Sequence, residues 1–434
     1  MIDHKGSHGA ASVRKLIQAL AILVFLLGST GVAWQFHDQA YDDLPSFYWA
    51  THLAFESNAS AYQPGYFHEI GLSLGRKIYP FLYPPPSLLL FSPFLLGDYE
   101  PVKIIFTLCN LVLWWWLLFV ICQLHRFHTS GLRSVYARIL IPLWLVSFAP
   151  IIDTMRTGQV NLLVFACLSP LFFQPKRPAF QYATGVLLAL AIILKVYLLL
   201  LLPVLLVLHQ KNILLSASAT LVLICLASWV LLPGSLWTDW FELGRHGGGY
   251  GKPLPDMMTI PWNQSVNGFF IRQYLDEKTL GGMANRQLCI YLACGLMFLS
   301  TLGVIAWKIR EQNRDMSHAV ALTLLTATLI APLTWQHHFV FALPAAVSCL
   351  ALSATTRPAA STKLVIALVW LCVILMSYPW LANIFLSGNE LKSVNRSITL
   401  SGNLVLSAQL LAGFGLWFLF CLLAVRQNTR PASL

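Results

Sequence analysis

The chain alternates long apolar blocks with short polar connections, and the blocks are too continuous to be one face of a soluble helix. Uninterrupted apolar runs occupy residues 16–34, 102–122, 139–149, 160–173, 182–194, 196–208, 213–232, 288–307, 318–333, 339–352, 364–385 and 404–425. A membrane span needs about 20 apolar residues, fewer where neighbouring protein shields its ends, so the pattern predicts an all-α polytopic membrane protein with about 12 transmembrane helices. A further piece, residues 83–97, is broken by Tyr83-Pro84-Pro85-Pro86 and by Pro93. It is expected to be re-entrant, because irregular backbone at membrane depth is tolerated where it lines a cavity. Were it to cross, residues 182–208 would have to form one long helix, and two basic loops would face outward. Two polar-aromatic connections, 35–82 and 233–286, are long enough to hold short interfacial helices. They set the organisation: an N-terminal module over residues 1–232 carrying the first loop, then a C-terminal module over 233–434 that opens with the second. No fixed-period repeat is visible.

Composition sharpens this picture. Of 434 residues, 57% are hydrophobic and only 10% are charged, which excludes a separate soluble domain. Lys and Arg outnumber Asp and Glu 28 to 17, and most of that excess follows the positive-inside rule. Lys308, Arg310 and Arg314, then Arg357 and Lys363, then Arg426 and Arg430 fall on alternate connections, which places those connections in the cytoplasm. With Arg14 and Lys15 also inside, both polar loops, the 386–400 loop and the edge at Trp335-Gln336-His337-His338 share the opposite face. The N-terminal segment is signal-like, but its apolar run is too long and lacks a small-residue cleavage site, so it reads as an uncleaved first span. None of the nine cysteines forms a C-x-x-C pair, so neither zinc nor a disulfide framework is indicated.

A small set of polar residues on that face could carry chemistry. Asp42 and Asp43 stand side by side at a membrane edge, either as an interfacial cap or ion pair, or with one carboxylate turned into a cavity. Asp43 is the better candidate for a base, because a helix starting near Pro45 would carry it at its N-terminus. His337 and His338 could hold a proton or meet a phosphate; the plainer alternative is a pair of interfacial side chains. Arg245, Lys252 and Arg272 are cations on the face where the positive-inside bias disfavours them, which suits an anionic headgroup. Gly247, Gly248 and Gly249 would let backbone approach a ligand. Lys195 splits a long apolar run, which is costly unless the helix ends there or the ammonium finds an anion. Arg156, Gly158, Gln159 and Asn161 open another span and also serve as plain caps.

These residues fall in an order that resembles glycosyltransferase family 87 of the GT-C superfamily, polyprenyl-phosphate-mannose-dependent mannosyltransferases and their relatives. The shared motifs are Asp43 with Phe47-Tyr48, Tyr83-Pro84-Pro85-Pro86 with Pro93, Gly158-Gln159-Val160-Asn161, and Gly185 through Lys195 to Pro203. Asn263-Gln264-Ser265 with Gly268 and Arg272 follows, and then the segment from Ala331 to His338. The resemblance implies a GT-C-like many-helix fold and inverting sugar transfer from a polyprenyl-phosphate donor to a lipid-linked or envelope glycan. Asp43 would be the base, and His337 and His338 would be catalytic. Asp42, Tyr48, Tyr83, Gln159, Lys195, Arg245, Asn263, Gln264, Arg272 and Trp335 would bind substrate. It further implies a multi-pass protein of a bacterial inner membrane, with its site facing the periplasm. No cofactor is called for; the Asp and His pairs could contribute ligands to a divalent cation, although no spacing compels one. Family members are serine-rich before the histidine pair, whereas this chain reads Leu333-Thr334-Trp335-Gln336. A lipid transporter would share the apolar bulk and outward cations. Transporters, however, place charge near the bilayer midplane and often carry repeats.

Overall fold

The computed structural model describes residues 5–37, 41–75, 78–128, 132–246, 249–250, 262–273, 280–310, 316–355, 359–377 and 400–426. Among these residues every regular element is helical. In chain order the first are α1 (Lys5–His37), α2 (Leu44–Glu56), α3 (Pro64–Ser73), α4 (Pro86–Phe91), α5 (Tyr99–His128) and α6 (Leu132–Ser147). Next come α7 (Ala149–Thr157), α8 (Asn161–Phe172), α9 (Pro178–Leu194), α10 (Leu201–Val207), α11 (Lys211–Leu231) and α12 (Ser235–His246). The chain ends with α13 (Val266–Gln273), α14 (Leu280–Arg310), α15 (Met316–Ile330), α16 (Leu343–Thr355), α17 (Ala359–Ser377), α18 (Leu400–Leu406) and α19 (Ala408–Arg426).

Six of the described helical segments are long and apolar enough to cross a membrane unaided, and the pair α6 and α7, bent by 44°, makes a seventh. The chain is therefore a polytopic membrane protein. The expected count of about 12 spans is not met by length and composition alone, because several apolar runs form helices of only 10–17 residues. Helix α15 is one of these short helices. All but one of its residues are buried, so neighbouring helices rather than lipid surround it. The proline-broken piece, Pro86–Leu96, is shorter still: helical rise carries it about 16 Å, against about 30 Å of hydrocarbon.

Among the described residues the main apolar cluster runs from Phe25 to Ala424 and joins both halves of the chain. Helices α9 and α11 cross closely at Gly185, where a Cβ would stand 2.4 Å from the Ile213 carbonyl oxygen. Short helices fill the two polar loops as expected: α2 and α3 in the first, α12 and α13 in the second. Phe47 on α2 stacks on Phe91 and meets Tyr83 edge-on, so an aromatic wall fixes the first loop against the 83–97 piece. Gly247, Gly248 and Lys252 lie outside the described residues.

Candidate active site

Asp43 is the N-cap of α2, yet its side chain makes no capping bond. Its backbone does the anchoring: the Asp43 amide donates to the Thr157 carbonyl at 2.9 Å, which ties the first loop to the end of α7. That end is shaped by Gly158, in the left-handed region at φ 68°. A Cβ there would lie 2.8 Å from Leu44 Cβ and 3.0 Å from the Tyr41 ring, so the turn needs glycine for both conformation and space. The turn delivers Gln159, whose Nε2 donates to Asp43 Oδ2 at 2.8 Å.

From Gln159 a buried network runs inward. The Tyr83 hydroxyl donates to Gln159 Oε1 at 2.9 Å, and Lys195 Nζ donates to the Tyr83 hydroxyl at 3.1 Å. Lys195 Nζ also lies 2.9 Å from His338 Nε2, while His338 Nδ1 accepts from the Trp335 amide at 3.2 Å. Lys195 sits at a helix break: α9 stops at Leu194, and Lys195 takes φ −142°, ψ 89° before a 3-10 turn over Val196–Leu200. A single amide thus connects the Asp43 carboxylate to the tyrosine, lysine and second histidine.

A second set of contacts flanks Asp43. Arg156 donates from one terminal nitrogen to Asp42 Oδ2 at 2.8 Å, and from Nε and the other terminal nitrogen to Asp153 Oδ1 at 3.0 and 2.8 Å. Asp153 Oδ2 then lies 3.1 Å from His337 Nδ1. Asn161 Nδ2 donates to the His337 carbonyl at 3.2 Å. Burial raises the Asp43 carboxyl above the usual carboxylate range, although His337, the Gln159 hydrogen bond and Lys195 each pull it back. His337 and Lys195 are therefore electrostatic neighbours of Asp43. Burial and the Asp43 charge push the Tyr83 phenol well up, so it stays a neutral donor.

The remaining expected site residues are placed differently. Arg272 is 1% exposed, and its guanidinium donates to the Asn263 carbonyl, Asn403 Oδ1 and Ser407 Oγ at 2.7, 3.0 and 2.7 Å. Asn263 Oδ1 accepts from the Thr334 amide at 3.1 Å, and Gln264 Nε2 donates to the Leu406 carbonyl at 2.7 Å. These residues clasp the segment that leads into the histidine pair to α13, α18 and α19. Tyr48 donates to the Gly97 carbonyl at 3.2 Å and packs on Tyr99. Arg245 stands at an exposed helix end, 3.4 Å from Glu242. Trp335 is half-buried beside the pair. Asp153 and Tyr79 join the site without having been conspicuous in the sequence, the latter close enough to feel the charges of Asp42, Asp43 and Arg156. For Asp153 a signal existed: an acid three residues before Arg156 in an otherwise uncharged helix places both on one face. Among the described residues no group of three or more His, Cys, Asp or Glu side chains is arranged to hold a metal ion.

This is a polytopic membrane protein with charged and polar side chains gathered where its first loop, α7 and the start of a late span meet. The chain belongs to glycosyltransferase family 87, whose family model matches residues 81–334. It is 27% identical over 291 residues to the polyprenol-phosphate-mannose-dependent alpha-(1-2)-phosphatidylinositol mannoside mannosyltransferase of Mycobacterium tuberculosis, covering 64% of this chain and 62% of that protein. The protein of the same name from Mycolicibacterium smegmatis is 26% identical over 288 residues, covering 62% of this chain and 61% of the relative. The chain thus spans less than two thirds of the length of these curated relatives. No solved structure matches it. The family match takes in Tyr83, Asp153, Gln159 and Lys195, but begins after Asp43 and ends before His337. Asp43 and His337 join the site through three-dimensional contacts.

Proposed function

We propose that the protein transfers a hexosyl group, most simply mannose, from a polyprenyl-phosphate donor to a hydroxyl of a lipid-linked or envelope glycan, with inversion. Asp43 is the general base. It takes the proton of the acceptor hydroxyl as that oxygen bonds to the anomeric carbon. The bond from anomeric carbon to phosphate oxygen breaks, and the polyprenyl phosphate leaves with the electron pair. Lys195 stands on the side where that negative charge develops. The reaction occurs on the non-cytoplasmic face of a bacterial inner membrane, in a bundle that crosses about 12 times, its shorter helices shielded by their neighbours.

The observation that carries this reading is the setting of the Asp43 carboxylate. Gln159 fixes Oδ2 and leaves Oδ1 for an acceptor hydroxyl, while burial raises the carboxyl's proton affinity. Asp42, one residue away, is held by Arg156, which separates the two acids by role. Family membership and the names of the two mycobacterial relatives support this donor class.

The test uses purified full-length protein in lipid nanodiscs, given radiolabelled polyprenyl-phosphate-mannose and a panel of glycolipid acceptors. Asp43→Asn should lower kcat/KM by about 10²- to 10⁴-fold, the usual worth of a positioned base. Asp42→Asn should retain most of it. The assignment of the base fails if Asp43→Asn stays active, and the enzyme reading fails if wild type consumes no donor with any acceptor.

A further inference from the structure

The two histidines differ in what their ring nitrogens have left to do. Both nitrogens of His338 are occupied, Nδ1 by the Trp335 amide and Nε2 by Lys195. His337 has one nitrogen engaged and one open. Its side chain is 5% exposed, Nδ1 faces Asp153 Oδ2 at 3.1 Å, and Nε2 is buried with no hydrogen-bond partner. Asp153 receives two hydrogen bonds from the Arg156 guanidinium on its other oxygen, so it is an ionised carboxylate that can only accept. The hydrogen at this contact must therefore sit on His337 Nδ1. In the neutral ring that leaves Nε2 with a lone pair, a buried acceptor without a donor. A buried acceptor of this kind calls for a partner, either an ordered water or a group that enters the site.

We infer that Asp153 is a positioning residue that locks His337 in the Nδ1–H tautomer, so that His337 Nε2 accepts a hydrogen bond from a hydroxyl of the sugar substrate. The inference rests on the transferase reading for the identity of that substrate. The same hydroxyl chemistry is offered by the transferred sugar of the donor and by the glycan of the acceptor. Arg156 completes the arrangement from outside: it keeps Asp153 ionised and carries the charge on to Asp42, at side-chain exposures of 46% and 40%. The lock holds the backbone as well as the ring, because Asn161 pins the His337 carbonyl. Adjacent histidines thus divide between scaffold and substrate contact.

Two measurements on the full-length protein in nanodiscs test this. The first needs no turnover: nitrogen-15 spectra of histidine-labelled protein, with His337 assigned by its disappearance in His337→Gln. Wild type should show His337 protonated at Nδ1. Asp153→Asn should bring in the Nε2–H form, and Asp153→Glu should restore the wild-type signature. Finding Nε2–H or a doubly protonated ring in wild type, or the same tautomer in Asp153→Asn, overturns the lock. The second compares polyprenyl-phosphate-mannose and phosphatidylinositol mannoside acceptor with single-deoxy versions of each sugar. Asp153→Asn should raise KM about 10- to 100-fold for the substrate whose hydroxyl is bound, the range expected when a buried partner loses its bond, with a smaller change in kcat. One deoxy analogue should be bound equally by wild type and Asp153→Asn. A deoxy donor with that behaviour identifies the transferred sugar, and a deoxy acceptor identifies the glycan. An equal penalty for every analogue overturns the hydroxyl contact. If wild type turns over no donor while its spectrum shows the Nδ1–H lock, the transferase reading has failed and the positioning role of Asp153 stands.

Discussion

Asp43 and Gln159 act as one unit at the residue scale. A carboxylate that takes a proton must be ionised first, so transfer should rise with pH through the Asp43 titration. Because burial raises that titration above the usual carboxylate range, the acid limb of kcat/KM should lie correspondingly high. The Gln159 amide stabilises the ionised form, so its removal makes ionisation harder. Gln159→Leu is therefore expected to move the acid limb to still higher pH, with a smaller loss on the plateau than Asp43→Asn causes. A pH profile of wild type and Gln159→Leu checks the sign: a limb that moves down or stays fixed would show that Asp43 is not the titrating base.

At the scale of elements, two local structures hold these side chains in place. The first is the α7 terminus. Gly158→Ala would impose a side chain on a left-handed residue and drive its Cβ to 2.8 Å from Leu44 Cβ. A strained backbone of this kind costs about 1–3 kcal/mol. Lower melting temperature together with lost transfer is the expected result, since the turn presents Gln159 and its neighbour Thr157 accepts the Asp43 amide. The second is the clasp around Arg272. Burial holds that guanidinium down to about 9, and its hydrogen bonds reach Asn263, Asn403 and Ser407. Arg272→Met should destabilise the protein by about 2–3 kcal/mol through the polar partners left unsatisfied. In protein that remains folded, donor KM should stay near wild type; a selective rise in donor KM would instead return Arg272 to the phosphate. These two structures also mark what could be read from the chain. Asp43, Gln159, Lys195 and the histidine pair were legible because a polar residue in an apolar context is conspicuous. The partners of Arg272 were not, because Asn403 and Ser407 lie more than a hundred residues further on and only packing brings them together. Helix ends were legible where glycine or proline marks them. The surroundings of the short apolar helices were not, since whether a helix meets lipid or protein is decided by the rest of the bundle.

The whole molecule ties these local structures to a membrane. Asp43 follows α1, His337 opens the span Gln336–Ser353, and Arg272 precedes α14, so three separate parts of the chain deliver side chains to one end of the bundle. Hydrogen bonds close the set: Asp43 joins α7 through Thr157, Gln264 joins the Thr334 carbonyl at 2.6 Å, and Asn161 joins His337. Such contacts require the three segments to lie on one side of the bilayer. The positive-inside rule predicts the non-cytoplasmic side, because Lys308 and Arg310 end α14 while Arg426 ends α19. Cysteine accessibility in intact cells or spheroplasts, on a cysteine-free background, is the direct check. Reporter cysteines placed singly at the exposed positions Glu56, Glu242 and Trp262 should react with a membrane-impermeant maleimide, while one at Arg310 should react only after lysis. Labelling of Arg310 from outside would invert the orientation and place the Asp43 site in the cytoplasm. Opposite results at Glu56 and Trp262 would be harder to accommodate, because the first loop and the α13 clasp would then be on different faces and could not build one site.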